Sequence, residues 1–195
     1  MRTRLDLGLL GLLGLLVLAL AAVPAPPAAA ATLSGVTMPD SESAGGHELV
    51  LNGMGLRKKF IIKVYVAGLY LPERETSADD VLAADAPRIM VMKFLYGVGK
   101  DQMCDAWDEG LEANTPNASA ELKRHFQTLC GWMEAIEKNE EMRFTYLPGS
   151  GTMVSVKGRE KGEIEGKAFA DALLGTWIGP DPGPGEDFKK AVLGR

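Results

Sequence analysis

A continuous apolar segment, Phe60–Leu71, constrains the fold more than any other part of this chain. It reads FIIKVYVAGLYL, so apolar side chains occupy nearly every odd-numbered and every even-numbered position. Successive side chains of a β-strand point to opposite faces of the sheet, and a short apolar run of this kind is typical of a strand covered on both faces. The segment therefore predicts a long strand, ending before Pro72, whose two faces are both largely buried.

One arginine, Arg57, stands between a glycine-bracketed stretch, Gly53-Met54-Gly55, and this strand. We expect the two glycines to form a turn. A permanently charged guanidinium is costly to bury unless it meets an anion or several hydrogen-bond acceptors. Two interpretations stay open: Arg57 binds an anion inside a cleft, or it lies at a solvent-facing edge and pairs with an acidic side chain.

Two tyrosines of the predicted strand, Tyr65 and Tyr70, are candidate partners of Arg57. Each hydroxyl could donate a hydrogen bond to a bound anion. A lone tyrosine on such a strand more often fills the core, so both interpretations are kept for each of them.

The first residues indicate export. Two arginines precede the apolar run Leu7–Val23, and prolines and the alanine tract Ala28–Ala31 follow it. This order is typical of a secretory signal peptide with a small-residue cleavage site. An uncleaved membrane anchor is the alternative, because the run has nearly the length of a spanning helix. We expect residues 1–31 to be a signal peptide, residues 32–195 to form a single domain, and the protein to be periplasmic or secreted.

The composition limits the function classes. The chain of 195 residues has a formal net charge of −5, and its basic residues form no long run with interleaved aromatic side chains. We therefore expect no nucleic-acid binding. Two histidines are too few for a typical zinc site, although a mixed site with carboxylates stays open. No metal and no cofactor is predicted, and no stable membrane span is expected after cleavage of the leader.

Cys104 and Cys130 are the two cysteines of the chain. In an oxidising compartment, an even pair suggests a disulfide. Both lie on apolar helix faces, where unpaired cysteines are also buried as small hydrophobic side chains. A disulfide and two buried thiols are both retained as interpretations.

The order of the predicted elements indicates an α+β fold. Short strands are expected over Leu33–Met38 and His47–Asn52, on either side of a polar loop, Ser41–Gly46. Two helices follow the next strand, Arg88–Tyr96, and the second has an apolar stripe from Leu122 to Ile136. The last third then predicts a hairpin, a further short strand and a closing helix. We expect helices packed on an antiparallel sheet.

Several motifs, taken in order, resemble the chalcone isomerase-like family, and in particular its bacterial exported branch. They are Gly53-Met54-Gly55-Leu56-Arg57, Lys63–Leu71, Asp105–Gly110, Tyr146–Thr152 and Phe169–Gly179. The resemblance implies an open-faced β-sandwich in which a large antiparallel sheet is covered by a layer of helices. It also implies a cleft between sheet and helices that holds an apolar ligand.

The resemblance assigns roles to three residues. Arg57 matches the family's arginine, which is associated with a phenolate in the plant enzymes and with a carboxylate in fatty-acid-binding relatives. Tyr65 stands where the enzymes carry a threonine. Thr176 aligns with a Ser/Thr position that lines the enzymes' pocket, although a packed helix residue is the alternative.

The enzymes place a catalytic tyrosine at the start of the first central helix. Residues 97–114 contain no tyrosine. The hydroxyl that would stabilise the oxyanion and donate a proton in the isomerisation is therefore missing at this position. We therefore expect no catalytic residue, and non-catalytic binding of a fatty acid or similar small apolar anion. The alternatives are an intramolecular lyase or isomerase acting on a chalcone-like or other phenolic enone, and an accessory protein without a ligand.

Overall fold

A computed structural model describes residues 30–195, so residues 1–29 of the predicted signal peptide lie outside the described part. The described part contains nine strands and five helices. The strands are β1 (Ala30–Leu33), β2 (Val36–Pro39), β3 (Ser41–Ala44), β4 (His47–Lys59), β5 (Ile62–Leu71), β6 (Arg88–Phe94), β7 (Glu141–Leu147), β8 (Gly151–Val156) and β9 (Arg159–Glu165). The helices are α1 (Ala78–Ala83), α2 (Lys100–Asn114), α3 (Ala120–Trp132), α4 (Lys167–Ile178) and α5 (Glu186–Val192).

The strands form a two-stranded sheet, β1-β2, and a seven-stranded antiparallel sheet in the order β3-β4-β5-β6-β7-β8-β9. Each strand of the large sheet pairs with the next one in the chain. The helices α2 and α3 are inserted between β6 and β7, while α4 and α5 follow the last strand. The predicted architecture, a large antiparallel sheet with a layer of helices, is confirmed.

The strand β5 separates two apolar cores, as its sequence predicts. The prediction was wrong for the start of the strand, because Phe60 and Ile61 lie in the turn before β5 and are exposed. Tyr65, Ala67 and Leu69 belong to a large core that the helices cover, which we call the helix-side core. Val66 and Tyr70 belong to a smaller core on the other face, beside the β1-β2 hairpin, which we call the hairpin-side core. The alternation places both sets of side chains out of contact with water.

The turn expected at Gly53 and Gly55 is not present, because both glycines lie inside β4. They are needed for the close approach of α5. A Cβ atom at Gly55 would lie 2.7 Å from the ring of Phe188, and one at Gly53 would overlap the carbonyl oxygen of Ala191. The chain turns instead after β4, where Phe60 has a φ of 55°.

Three further boundaries differ from the sequence prediction. The strand expected over Leu33–Met38 is interrupted by a turn at Ser34 and Gly35, which separates β1 from β2. The polar segment expected as a loop forms β3, because Gly45 and Gly46 adopt φ values of 57° and 82° and make a tight connection to β4. The apolar stripe of α3 continues to Ile136, but the helix ends at Trp132. Ile136 instead forms an isolated antiparallel bridge with Val98. The backbone amide of each residue donates a hydrogen bond to the carbonyl oxygen of the other.

None of the helices within residues 30–195 combines the length and the apolar character needed to cross a bilayer.

Candidate functional site

Arg57 and Tyr65 are direct cross-strand neighbours on β4 and β5. Both side chains reach the elements that follow β9. Arg57 contacts the connection between α4 and α5, and Tyr65 contacts both of those helices. The long apolar β5 and its hairpin partner thus place one cation and one phenol side by side on the helix-covered face of the sheet.

The guanidinium of Arg57 is bound to a backbone carbonyl rather than to an acid. Its Nη1 donates a hydrogen bond of 2.6 Å to the carbonyl oxygen of Gly183. Among residues 30–195, no carboxylate lies within ion-pair distance of Arg57. The side chain is partly exposed. The interpretation of Arg57 as one half of a surface ion pair therefore does not describe this arrangement.

The hydroxyl of Tyr65 is buried and holds its proton. Its oxygen accepts a hydrogen bond of 3.1 Å from Nε1 of Trp177, on α4. Burial raises the pKa of Tyr65 to about 12, against the smaller lowering effects of Trp177 and of the charge on Arg57. The phenol is thus neutral at ordinary pH. The hydrogen bonds among the described residues give its own proton no acceptor, so it can donate to a further group.

Residues 179–195, which we call the C-terminal cover, lie over this pair. Phe188 packs edge-on against the ring of Tyr65, with centroids 6.0 Å apart. The buried side chain of Asn52 anchors the end of the cover by donating a 2.8 Å hydrogen bond to the carbonyl oxygen of Val192. Asn114 anchors its beginning through two hydrogen bonds of 2.8 Å with the backbone of Asp181.

The cover fills the place where an open cleft was expected. A small cavity of about 20 Å³ lies between the sheet and α4, beside Arg88 and Thr152, and has room for roughly one water molecule. A surface groove lies elsewhere, beside Tyr146 and Lys167. Neither of these two cavities is lined by Arg57 or Tyr65, and the C-terminal cover contacts both side chains through Gly183 and Phe188.

A model of the chalcone isomerase-like family matches residues 30–194 of this chain. The chain belongs to the chalcone isomerase-like family. The match spans all of the strands and helices described above. It confirms the family resemblance that the sequence motifs indicated.

A solved structure of the same architecture supports the family fold. The crystal structure of a fatty-acid binding protein from Arabidopsis thaliana superposes with a TM-score of 0.68 and 18% sequence identity, covering 85% of this chain and 96% of that one. At this identity the likeness shows a common fold. No curated protein sequence is significantly similar to this chain.

The structure does not bring Tyr70 or Thr176 to Arg57. Tyr70 belongs to the hairpin-side core, where its hydroxyl donates a 2.9 Å hydrogen bond to the carbonyl oxygen of Pro39. The hydroxyl of Thr176 donates to the carbonyl oxygen of Leu173, and its side chain packs against Gly110 of α2. Thr176 contacts the C-terminal cover through its backbone, whose carbonyl oxygen accepts a hydrogen bond from the amide of Gly183.

Cys104 and Cys130 are joined by a disulfide, with their Cα atoms 5.5 Å apart. The bond ties α2 to α3 within the helix layer. It lies on the helices and not beside Arg57, so it serves the framework of the site and not its chemistry.

The sequence analysis did not single out Arg88, which is a second, more deeply buried cation. Its side chain is 6% exposed, donates a 2.6 Å hydrogen bond to Asp171 of α4, and lies 4.8 Å from the centroid of the Tyr146 ring. Two features of the sequence could have indicated this pair. They are an arginine at the start of an apolar strand and an aspartate within an apolar helix. Among the described residues, no cluster of His, Cys, Asp and Glu side chains is arranged to hold a metal ion.

Proposed function

We propose that this protein binds a fatty acid or a similar small apolar anion without transforming it, and that Arg57 and Tyr65 contact the carboxylate. The observation that carries the proposal is the pairing of an arginine that has no acidic partner within residues 30–195 with a buried, neutral phenol that has a proton to donate. The Arabidopsis neighbour is a fatty-acid binding protein with this fold.

The carboxylate would replace a weaker acceptor at Arg57. A carboxylate carries a full charge opposite to that of the guanidinium and often accepts two parallel hydrogen bonds from it, whereas a backbone carbonyl is a neutral acceptor. The carbonyl oxygen of Gly183 is the present partner of Arg57. Exchanging that oxygen for a carboxylate is therefore favourable at the head group.

Apolar side chains around Tyr65 suit an acyl chain. Phe94 and Phe188 pack on its ring at centroid distances of 5.6 Å and 6.0 Å, and Trp177 lies at its hydroxyl. All three are buried. Displacing Phe188 and the rest of the C-terminal cover would expose these surfaces to the ligand tail, which would bury them again.

In the proposal, the connection between α4 and α5 serves as the hinge for that displacement. It reads Pro180–Gly185, PDPGPG, and Gly185 adopts a φ of 97° that favours glycine. The cover is a short segment that follows the last strand. Asn114 and Asn52 hydrogen-bond it near its two ends, and Phe188, Val192 and Leu193 pack into the helix-side core, so its displacement has to uncover those side chains. Movement of such a segment leaves the seven-stranded sheet intact.

Titration with saturated fatty acids of increasing length, followed by calorimetry, tests the proposal. Wild-type protein should bind, and Arg57→Ala should weaken binding by about ten- to a hundredfold, since a hydrogen bond to a charged group contributes roughly 1.5–3 kcal/mol. Arg74→Ala is the matched control, because Arg74 is an exposed arginine away from Tyr65. Wild-type protein that binds no fatty acid, or equal affinities for the two variants, would overturn the proposal.

Because residues 1–31 have the pattern of a signal peptide, we also propose that this binding protein is exported. Mass spectrometry of the protein recovered from the exported fraction should show an N-terminus near Thr32. Recovery of the chain with Met1 and the apolar run still attached would contradict export with cleavage.

A further inference from the structure

The connection between β4 and β5 exposes apolar side chains to an unusual degree. Phe60 is 92% exposed, Ile61 is 96% exposed and Ile62 is 42% exposed. The φ of 55° at Phe60 closes the turn and directs these consecutive side chains away from both cores. We call residues 58–63 the hairpin tip.

A fourth exposed apolar side chain lies at the same end of the sheet. The backbone amide of Tyr96 donates a hydrogen bond of 3.2 Å to the carbonyl oxygen of Val64, two residues after Ile62, and its side chain is 55% exposed. These four residues are the exposed large hydrophobic side chains of residues 30–195. Their concentration at one end of the molecule differs from the single scattered residues that are ordinary on protein surfaces.

Basic side chains flank Phe60, Ile61 and Ile62 within the hairpin tip. Lys58, Lys59 and Lys63 are all exposed, and none of them has an ion-pair partner among the described residues. No aspartate or glutamate occurs between Glu48 and Glu73. The hairpin tip is thus positively charged in a chain whose formal net charge is −5.

We propose that the hairpin tip docks on an anionic lipid bilayer, with Phe60 and Ile61 inserted between the headgroups and the lysines at the phosphate level. Apolar side chains that enter the boundary between headgroups and acyl chains gain the free energy of leaving water. Each lysine near an anionic surface adds electrostatic attraction. The apolar side chains of the hairpin tip suit the acyl-chain region of such a membrane, and its lysines suit the anionic headgroups.

Docking would bring the candidate site close to lipid. Arg57 precedes Phe60 by three positions on the same hairpin, which corresponds to roughly 10 Å along a strand. The docking proposal rests on the hairpin tip alone, and it holds whether or not Arg57 binds a fatty acid.

Sedimentation with vesicles tests the docking. The wild-type chain should bind vesicles of phosphatidylcholine mixed with phosphatidylglycerol more strongly than vesicles of phosphatidylcholine, and salt should weaken the binding. The double variant Phe60→Ser/Ile61→Ser should partition at least about tenfold less. Lys58→Gln/Lys59→Gln should also lose about thirtyfold on the anionic vesicles, since each of the two lysines contributes about 1 kcal/mol there and about 1.4 kcal/mol corresponds to a factor of ten.

The control is Lys123→Gln/Arg124→Gln, a pair of exposed, adjacent basic residues on α3, which should bind like wild type. All variants carry the same N-terminus, so the leader contributes equally to each. Both substituted segments are exposed, and circular dichroism should show unchanged folding.

A fluorescent probe reports insertion independently of total binding. An environment-sensitive dye attached through Ile61→Cys should shift its emission to the blue with anionic vesicles, whereas the same dye attached through Lys123→Cys should not. Equal responses at the two positions, or tip variants that bind vesicles like wild type, would overturn the proposal. So would tip variants that abolish self-association in ultracentrifugation while leaving vesicle binding unchanged, because the occupant would then be a second copy of the chain.

Discussion

Arg57 and Tyr65 stand opposite each other on β4 and β5, on the face of the sheet that the helices cover. One is a cation bound only to the backbone of Gly183 among the described residues, and the other is a phenol that burial keeps neutral. A cation and a neutral donor at adjacent positions can together bind the two oxygens of one carboxylate. This relationship, and not either residue alone, is the basis of the proposed function.

The buried phenol makes stability depend on alkaline pH. The pKa of Tyr65 rises from 10.0 to about 12 on folding, mainly through burial. A raised folded pKa contributes stability that is present below pH 10 and is lost as the pH rises through 12, because the unfolded chain ionises first. We expect Tyr65 to contribute about 2–3 kcal/mol to the alkaline loss. Burial also raises the pKa of Tyr70 and of Tyr146, so Tyr65→Phe should remove the share of Tyr65 and leave theirs. Urea unfolding across the pH series measures it.

Tyr96→Phe is the control for that series, because the Tyr96 side chain is 55% exposed. Tyr65→Phe also lowers stability at neutral pH, by about 1–2 kcal/mol, since it leaves the indole N–H of Trp177 without its acceptor. An alkaline loss of the same size in Tyr65→Phe and in wild type would contradict the assignment.

Asn52 should control the opening of the C-terminal cover. Its amide donates to the carbonyl oxygens of Glu75 and Val192, and its Oδ1 accepts from the amide of Glu75. Asn52→Ala removes these buried contacts and should cost about 1–3 kcal/mol locally. We expect faster hydrogen exchange in α5 and faster association of fatty acid.

Asn117→Ala, at an exposed position before α3, should change neither rate. Unaltered exchange of α5 in Asn52→Ala would show that Asn52 does not hold the cover in place.

The buried pair of Arg88 and Asp171 should matter for stability and not for binding. Arg88 is 6% exposed and Asp171 is 30% exposed, and their closest atoms are 2.6 Å apart. Asp171→Asn leaves a buried guanidinium without its counter-charge. Allowing for the partial exposure of Asp171, we expect a loss of about 2 kcal/mol in unfolding free energy.

The exposed Asp105 of α2 supplies the control, and Asp105→Asn should stay within about 0.5 kcal/mol of wild type. Fatty-acid affinity that falls in Asp171→Asn while stability is retained would move the binding site towards Arg88.

The disulfide between α2 and α3 should stabilise the helix layer. Cys104 and Cys130 are separated by 26 positions, and closing a loop of that size in the unfolded chain is worth about 3 kcal/mol. We expect Cys104→Ser/Cys130→Ser to unfold at lower urea, and a reducing agent to lower the midpoint of the wild-type protein only. A midpoint unaffected by the reducing agent would favour two buried thiols.

Local periodicity accounts for most of the fold that could be predicted. The apolar run of β5 and the amphipathic stripe of α3 each specify an element and its buried face. The same period also separates the two tyrosines, because Tyr65 and Tyr70 are an odd number of positions apart and so lie on opposite faces of β5.

Contacts between distant segments account for what could not be predicted. Gly53 and Gly55 have the composition of a turn, but α5 requires them inside β4, and that helix lies more than a hundred residues away. The partner of Arg88 is likewise 83 positions distant in the sequence. The closure of the site by the C-terminal cover follows from tertiary packing that no local pattern contains.

The most direct measurement is a crystal structure of the protein with a bound medium-chain fatty acid. Our account predicts the carboxylate within about 3 Å of both the Arg57 guanidinium and the Tyr65 hydroxyl, with the carbonyl oxygen of Gly183 displaced and Phe188 moved off the ring of Tyr65. A fatty acid bound with its carboxylate elsewhere, while Arg57 keeps its hydrogen bond to Gly183, would contradict the account.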